Sequence, residues 1–324
     1  MKTSDTTKRS KITKGFWGRA LPLSTSCFFV PFVVSVVLAA QSTHPYPGLT
    51  YIDRTDTAPR QIHMHVIQVD LSTPGLRFKL SPHAGTKEVA RETTLQFLTR
   101  EHAQAAINAH YFVPFPSPDT DVEIIGLGAS DGDVYSGFET PAQRYALLPD
   151  APALNIDREN RASIVHRDPS RRDGRAAREG VTLWTALAGS AQIVTDGVVS
   201  IPAYRDAAHA DGTLLPGGPN NYSNDKSWYA AVTARTAIGV SADSRTLTLF
   251  TVDARGDSQG LTVGETAERL IKDFGVWNGL NLDGGGSTSM AMEDPQTHTP
   301  RLVNTSSDNP NGRSVGSSLA VFVK

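Results

Sequence analysis

Between Asn281 and Met292 the sequence reads NLDGGGSTSMAM. One carboxylate, Asp283, stands directly before Gly284, Gly285 and Gly286, and Ser287, Thr288 and Ser289 follow. In regular structure each glycine forfeits roughly 0.5–1 kcal/mol relative to alanine, so three together need a local reason. The flanks VWNGLNL and MAM are apolar, which excludes a free linker. A glycine run between buried strands marks a turn at φ > 0, or a backbone that something approaches closely. Such a turn reverses the chain. It also sets a rigid acid beside backbone N–H groups able to cradle an anion. The pattern is neither a phosphate-binding Gly-Lys-Ser/Thr loop nor a Gly-x-Ser-x-Gly nucleophile elbow. His63-x-His65 is a second chemical spacing: on a strand it puts two imidazoles on one face, as metal sites do. With His110 and Asp283 it outlines a rival reading as a metal-dependent hydrolase.

The elements that must hold these residues are mostly strands. IHMHVIQVDL (62–71) alternates, LRFKLSP (76–82) follows across STPG, and the two together read as a hairpin. KEVARETTLQFLTREHAQAA (87–106) puts Val89, Leu95, Leu98 and His102 near one helical face, and AINAHYF (106–112) returns to strand character. AQIVTDGVVS (191–200) is a hairpin turning at Asp196-Gly197. RTAIGVS (235–241) and RTLTLFTVD (245–253) form another hairpin around ADS. TVGETAERLIKDFG (262–275) is a helix with a Thr262/Glu265 capping box, an apolar stripe Ala267-Leu270-Ile271-Phe274 and a Gly275 stop. GLNLD is then a strand, the glycines turn, and STSMAM leaves as another. The reading is α+β: mixed, largely antiparallel sheets with a few packed helices.

Composition divides the chain. Residues 1–40 hold six of the 31 basic residues, one of the 33 acidic ones, and the apolar block CFFVPFVVSVVLAA (27–40). A basic leader before a short apolar block predicts a signal peptide or an N-terminal membrane anchor, and a secreted or cell-envelope location. The rest then carries a net charge of −7, since 25 basic residues remain against 32 acidic. That argues against nucleic acid as a partner. The only cysteine, Cys27, lies in the leader, so a mature chain has no disulfide. Residues 41–61 read as a tether and 62–324 as one catalytic domain. Within it, the charge-dense 155–180 and the Gly/Pro/Asn-rich 203–231, with Tyr222, Trp228 and Tyr229, read as loop excursions.

Five pieces in order, AINAHYF, AGSAQIVTDG, RTAIGVSADSRTLTLFTVDAR, SQGLTVGETAERLIKDFGVWNGLNLDGGGSTSM and NGRSVGSSLAVF, resemble the phosphodiester glycosidase family. The resemblance spans roughly residues 60–324, and NLDGGGS is its most specific piece. His110 stands where the family has a small residue. The resemblance implies cleavage of a sugar C1–O bond whose leaving group is a phosphate ester. Such a group departs as a stabilised anion, so the site needs cations on the phosphate and a carboxylate near the anomeric carbon. Arg235 and Arg313 are the candidate clamps. Asp283 is the candidate nucleophile, base or oxocarbenium stabiliser. Asn108 and His110 would orient a sugar hydroxyl or the phosphate. The glycines, Ser287 and Thr288 would line the substrate, and Asp253 would offer a second carboxylate. No cofactor is implied, although loop-bound calcium stays open. Carbohydrate or sugar phosphate is the implied partner, with membrane contact only through the N-terminal segment. A glycan-binding protein on the same fold, without turnover, is a further alternative.

Overall fold

The computed structural model describes residues 37–138, 150–201 and 231–323. Most of the leader (1–36, with Cys27) and nearly all of the 203–231 excursion lie outside the described residues. Three sheets carry the fold. The largest has eight strands in the order Val37–Tyr46, Leu49–Asp56, Ile62–Asp70, Thr246–Val252, Arg235–Ser241, Val276–Asn281, Ala191–Thr195, Val198–Val199. A five-stranded sheet runs Pro300–Leu302, Met290–Glu293, Ala105–Asn108, Ser318–Phe322, Arg77–Leu80. A second five-stranded sheet contains Asp133–Ser136, Gly128–Ser130, Thr185–Ala188, Ala153–Ile156 and Ala162–Val165. Neighbouring strands in all three are antiparallel. The α+β, largely antiparallel reading is thus the architecture observed.

The central strands of the eight-stranded sheet are buried on both faces. Ile67, Val69, Ile238, Leu249 and Leu280 pack toward Leu80, Ile107, Met290 and Leu319 of the first five-stranded sheet. Ile62, Met64, Val66, Phe250 and Val252 face the other way, onto helix α2 (Val263–Phe274) through Ala267, Leu270 and Phe274. Helix α2 has its capping box and its left-handed Gly275 stop, at φ 68°. Both expected hairpins, 191–200 and 235–253, form, and the first turns at Asp196 (φ 51°) and Gly197 (φ 73°).

Several expectations are corrected. Strands Ile62–Asp70 and Arg77–Leu80 are not a hairpin: the first pairs with Leu49–Asp56 and Thr246–Val252, the second with Ser318–Phe322. The intervening loop carries the chain across the core, because Val69 and Phe78 belong to one apolar cluster between the sheets. The long helix over 87–106 shortens to α1, Thr94–Glu101. Thr93 and Gln96 form a capping box missed in the sequence, and His102 ends the helix in the left-handed region. Residues 155–180 are not a loose excursion, since strands Ala153–Ile156 and Ala162–Val165 pair there and Arg167 bridges Ala177. Their charges pair locally, Arg161 with Asp157 and His166 with Glu179.

The expected tether, 41–61, is instead most of an edge hairpin, Val37–Tyr46 with Leu49–Asp56. Asp56 pins it to the body. Its carboxylate is fully buried and accepts two hydrogen bonds from Arg54, at 2.8 Å each, and one from Arg269 of α2, also at 2.8 Å. Removing one partner of a buried ion network leaves uncompensated charge, which costs about 3–5 kcal/mol. The Asp56→Ala variant should therefore lose stability of that order in urea denaturation. A loss below about 0.5 kcal/mol, the level of an ordinary surface change, would show that the hairpin does not brace the fold.

Candidate active site

Asp283 lies two residues beyond the Val276–Asn281 strand, on the glycine turn. Main-chain bonds sew this segment to its neighbours: Leu282 N–H donates to Thr236 O at 2.9 Å, Asp283 N–H to Ala109 O at 3.0 Å and Gly285 N–H to Ala234 O at 2.8 Å. A short 3-10 turn, Gly285–Ser287, follows before the chain re-enters a sheet at Met290. The glycines have separate reasons. Gly285 adopts φ 59°, a region that L side chains avoid. A Cβ on Gly286 would stand 2.3 Å from Arg313 Nη2, and one on Gly284 would stand 3.0 Å from Ala234 O. Both motives expected for the run, a positive φ and a close approach, are present at different positions.

The expected cradle of bare amides is not what forms. The N–H groups of Asp283, Gly285, Ser287 and Thr288 bond to main-chain carbonyls. That of Ser289 donates to the Asn108 carboxamide. The turn presents side chains instead. Asp283, Ser287, Arg313, Tyr111, Phe112 and Phe115 line a cavity of about 100 Å³. The Arg313 guanidinium stacks 4.8 Å over the Phe115 ring, and its Nε donates to Asp308 at 2.9 Å.

Burial governs the acid. Desolvation pushes the Asp283 carboxyl up to about 7, against the opposing pull of the Ser287 hydroxyl, the Arg313 charge and the Gly284 N–H. Near neutral pH it therefore exchanges a proton, the property required of a general acid or base.

The other expected site residues take other places. Asn108 is fully buried and does not line the cavity. Its Nδ2 donates to the Asp283 carbonyl at 2.7 Å, and its Oδ1 accepts from Ser289 N–H (2.9 Å) and Thr236 Oγ1 (2.8 Å). It clamps both ends of the glycine turn. His110 is a core ring: Nδ1 lies 2.7 Å from Ser317 Oγ, and Nε2 lies 2.9 Å from both Leu127 O and Ala188 N. One tautomer satisfies only one of the last two contacts. Burial lowers its pKa to about 4, so the ring is neutral. Arg235 is buried behind the turn and donates to the carbonyls of Leu261, at 2.9 Å, and Ala231. Thr288 faces inward, its Oγ1 3.3 Å from Thr236 Oγ1, whose one proton goes to Asn108. Asp253 joins a separate cluster with His65, Asn304 and Thr305. His63 and His65 meet Asp53, while among the described residues His110 and Asp283 stand outside that group. The four-ligand site of the rival metal-hydrolase reading is thus not assembled.

Of the expected residues, Asp283, Ser287 and Arg313 share the cavity, with Asn108 and the glycines holding the turn beneath them. Sequence reasoning did not single out Tyr111, Phe112 or Phe115, which line the cavity. The available signal was aromatic spacing in YFVPFP, where prolines fix the loop.

An acid of raised pKa thus shares an aromatic-walled cavity with a guanidinium on an antiparallel α+β scaffold. The phosphodiester glycosidase family model matches residues 101–322, and the chain belongs to that family. Among curated proteins no significant match is found. Several solved structures share the fold, two of them as follows. A hypothetical protein from Synechocystis is 15% identical, with a TM-score of 0.62 over 88% of this chain and 64% of its own. The zebrafish N-acetylglucosamine-1-phosphodiester alpha-N-acetylglucosaminidase catalytic domain, auto-inhibited by its pro-peptide, is 17% identical, with a TM-score of 0.54 over 90% of this chain and 83% of its own. This chain thus spans under two thirds of the Synechocystis protein.

The raised acid has a thermodynamic signature. Between its ordinary pKa near 3.8 and the folded value near 7, the folded state holds a proton that the unfolded chain has released. Stability therefore falls as pH rises from about 4 to 7, by on the order of 2–4 kcal/mol, and stays low above. The Asp283→Asn variant lacks this titration. At pH 8 it should be the more stable protein by that order in denaturant titrations, with the gap closing near pH 4. Parallel pH profiles for the two proteins would show that the carboxyl is not desolvated.

Proposed function

We propose that this protein is a glycosidase that cleaves sugar-1-phosphodiesters or related surface-glycan linkages, with Asp283 as the proton-transfer group. The observation that carries the reading is Asp283 itself: a buried carboxyl of near-neutral pKa sharing a small cavity with Arg313. A cavity of about 100 Å³ holds a phosphoryl group or one edge of a sugar. The remainder of a substrate would extend past its mouth.

Arg313 pairs with the phosphate oxygens and neutralises the charge that builds as the ester departs. The leaving group is a phosphate monoester, already a stable anion, so it needs little protonation. The attacking water is what needs help. Asp283 in its carboxylate form accepts that water's proton as oxygen bonds to C1 and the C1–O(phosphate) bond breaks. Ser287 fixes the carboxyl by donating to it. Tyr111, Phe112 and Phe115 offer apolar faces to a pyranose ring and keep bulk water out. The basic leader and apolar block support an enzyme that acts outside the cytoplasm, secreted or held in the cell envelope by its N-terminal segment.

A panel of α- and β-linked sugar-1-phosphodiesters tests the reading. The wild-type kcat/KM should rise with pH through about 7, as the carboxylate forms. The Asp283→Asn variant should lose roughly 10²–10⁴-fold in kcat. The Arg313→Ala variant should lose about 10²–10³-fold on phosphodiesters and much less on neutral aryl glycosides. Binding without turnover across the panel would overturn the enzyme and leave a glycan-binding protein.

A further inference from the structure

A second polar cluster lies apart from the Asp283 cavity. Register assembles it. Asp53 stands opposite His65 in the antiparallel pair of strands Leu49–Asp56 and Ile62–Asp70, so both side chains share a face. His63, two residues earlier, projects from the same face. Asp253 follows the Thr246–Val252 strand, and its N–H donates to His63 O at 2.9 Å. The two imidazole rings are 4.2 Å apart, centroid to centroid.

Each ring is oriented from outside and open toward one point. His63 Nε2 lies 2.6 Å from Asp53 Oδ1, and His65 Nδ1 lies 2.8 Å from Tyr51 OH. The remaining nitrogens face a single atom, Asp253 Oδ2, at 3.7 Å from His63 Nδ1 and 3.3 Å from His65 Nε2. Asp53, His63 and His65 also offer ligand atoms that all lie within 4.8 Å of one another. Donors bound tetrahedrally at about 2.0–2.1 Å from one zinc ion stand roughly 3.3 Å apart. The two contacts to Asp253 Oδ2, at 3.3 and 3.7 Å, approach that donor spacing. Imidazole nitrogens outside such a shell are ordinarily held by a carboxylate or another acceptor, as Asp53 holds His63. A nitrogen-rich set suits zinc-class ions rather than magnesium or calcium.

We propose that His63, His65 and Asp253 bind one divalent cation of the zinc class, with Asp53 and Tyr51 orienting the two rings. The site is structural. Asp253 also accepts hydrogen bonds from Thr305 N–H at 3.0 Å and Asn304 Nδ2 at 3.3 Å. Asn304 in turn donates to Thr288 O at 3.3 Å and accepts from Met290 N–H at 2.7 Å. A cation here braces the chain just beyond the glycine turn from behind, without touching the cavity.

The test uses untagged full-length protein, stripped with chelator and titrated with zinc chloride by calorimetry. Cobalt(II) serves as a spectroscopic probe, since tetrahedral coordination gives strong visible absorption. One equivalent should bind, the tetrahedral cobalt spectrum should appear, and the melting temperature should rise on loading. His63→Gln and Asp53→Asn alter partly exposed residues, so folding is retained. Each should weaken binding at least about 10-fold, while Asp283→Asn binds as wild type does. Failure of wild type to take up metal, or equal affinity in wild type and both cluster variants, would overturn the site.

Discussion

The Asn108 carboxamide is the contact on which the candidate site depends. One side chain, fully buried in the central strand of a five-stranded sheet, grips the carbonyl of Asp283 and the N–H of Ser289. Those atoms are the two ends of the glycine turn. Without that grip, a carboxyl that prefers water would have every reason to swing out of an apolar cavity. Desolvation of an ionised acid costs energy unless the surrounding structure holds it in place. The fold supplies that hold from three directions: Asn108, the Ala109 carbonyl and the Ala234 carbonyl. The raised proton affinity of Asp283 is the result.

The glycines belong to the same constraint. They were expected to bare the backbone for a ligand, but most amides nearby are occupied by other main-chain groups. Their service is steric. Gly286 leaves room for the Arg313 guanidinium, and Gly285 takes a backbone angle that a side chain would resist. The loop therefore brings an acid and a base of opposite charge to one small hollow through missing atoms rather than exposed ones. Arg235 and Asn108 act from beneath, through main-chain carbonyls, whereas the family resemblance implied a place on the substrate.

Polar residues behind the cavity form a continuous framework. Thr236 bonds to Asn108 and to Thr288, and Asn304 links Thr288 to Asp253. Asp253 leads on to the histidines of the Ile62–Asp70 strand. Buried networks of this kind fix one arrangement because each unmet polar group in a low-dielectric interior is costly. His110, kept neutral by burial, pairs elsewhere in the core with Ser317 and main-chain groups.

Local physics was legible in the sequence. The capping box and glycine stop of α2, the Asp196-Gly197 turn and the 235–253 hairpin each depend on residues within a few positions, and each formed as read. The antiparallel α+β class followed from alternation, and the place of Asp283 on a turn beyond a buried strand from its setting. Partnership across the chain was not legible. Nothing near residue 80 says that its strand pairs with 318–322, nor near Asp56 that Arg269 will bind it. Which polar residues face a cavity and which are spent on carbonyls is likewise a long-range matter. Phe115 enters the site, and Asn108, His110 and Asp253 leave it, because packing of distant segments decides where a side chain finds its partner. A hydrogen bond spanning 175 residues, such as that from Asn108 to Asp283, leaves no local trace.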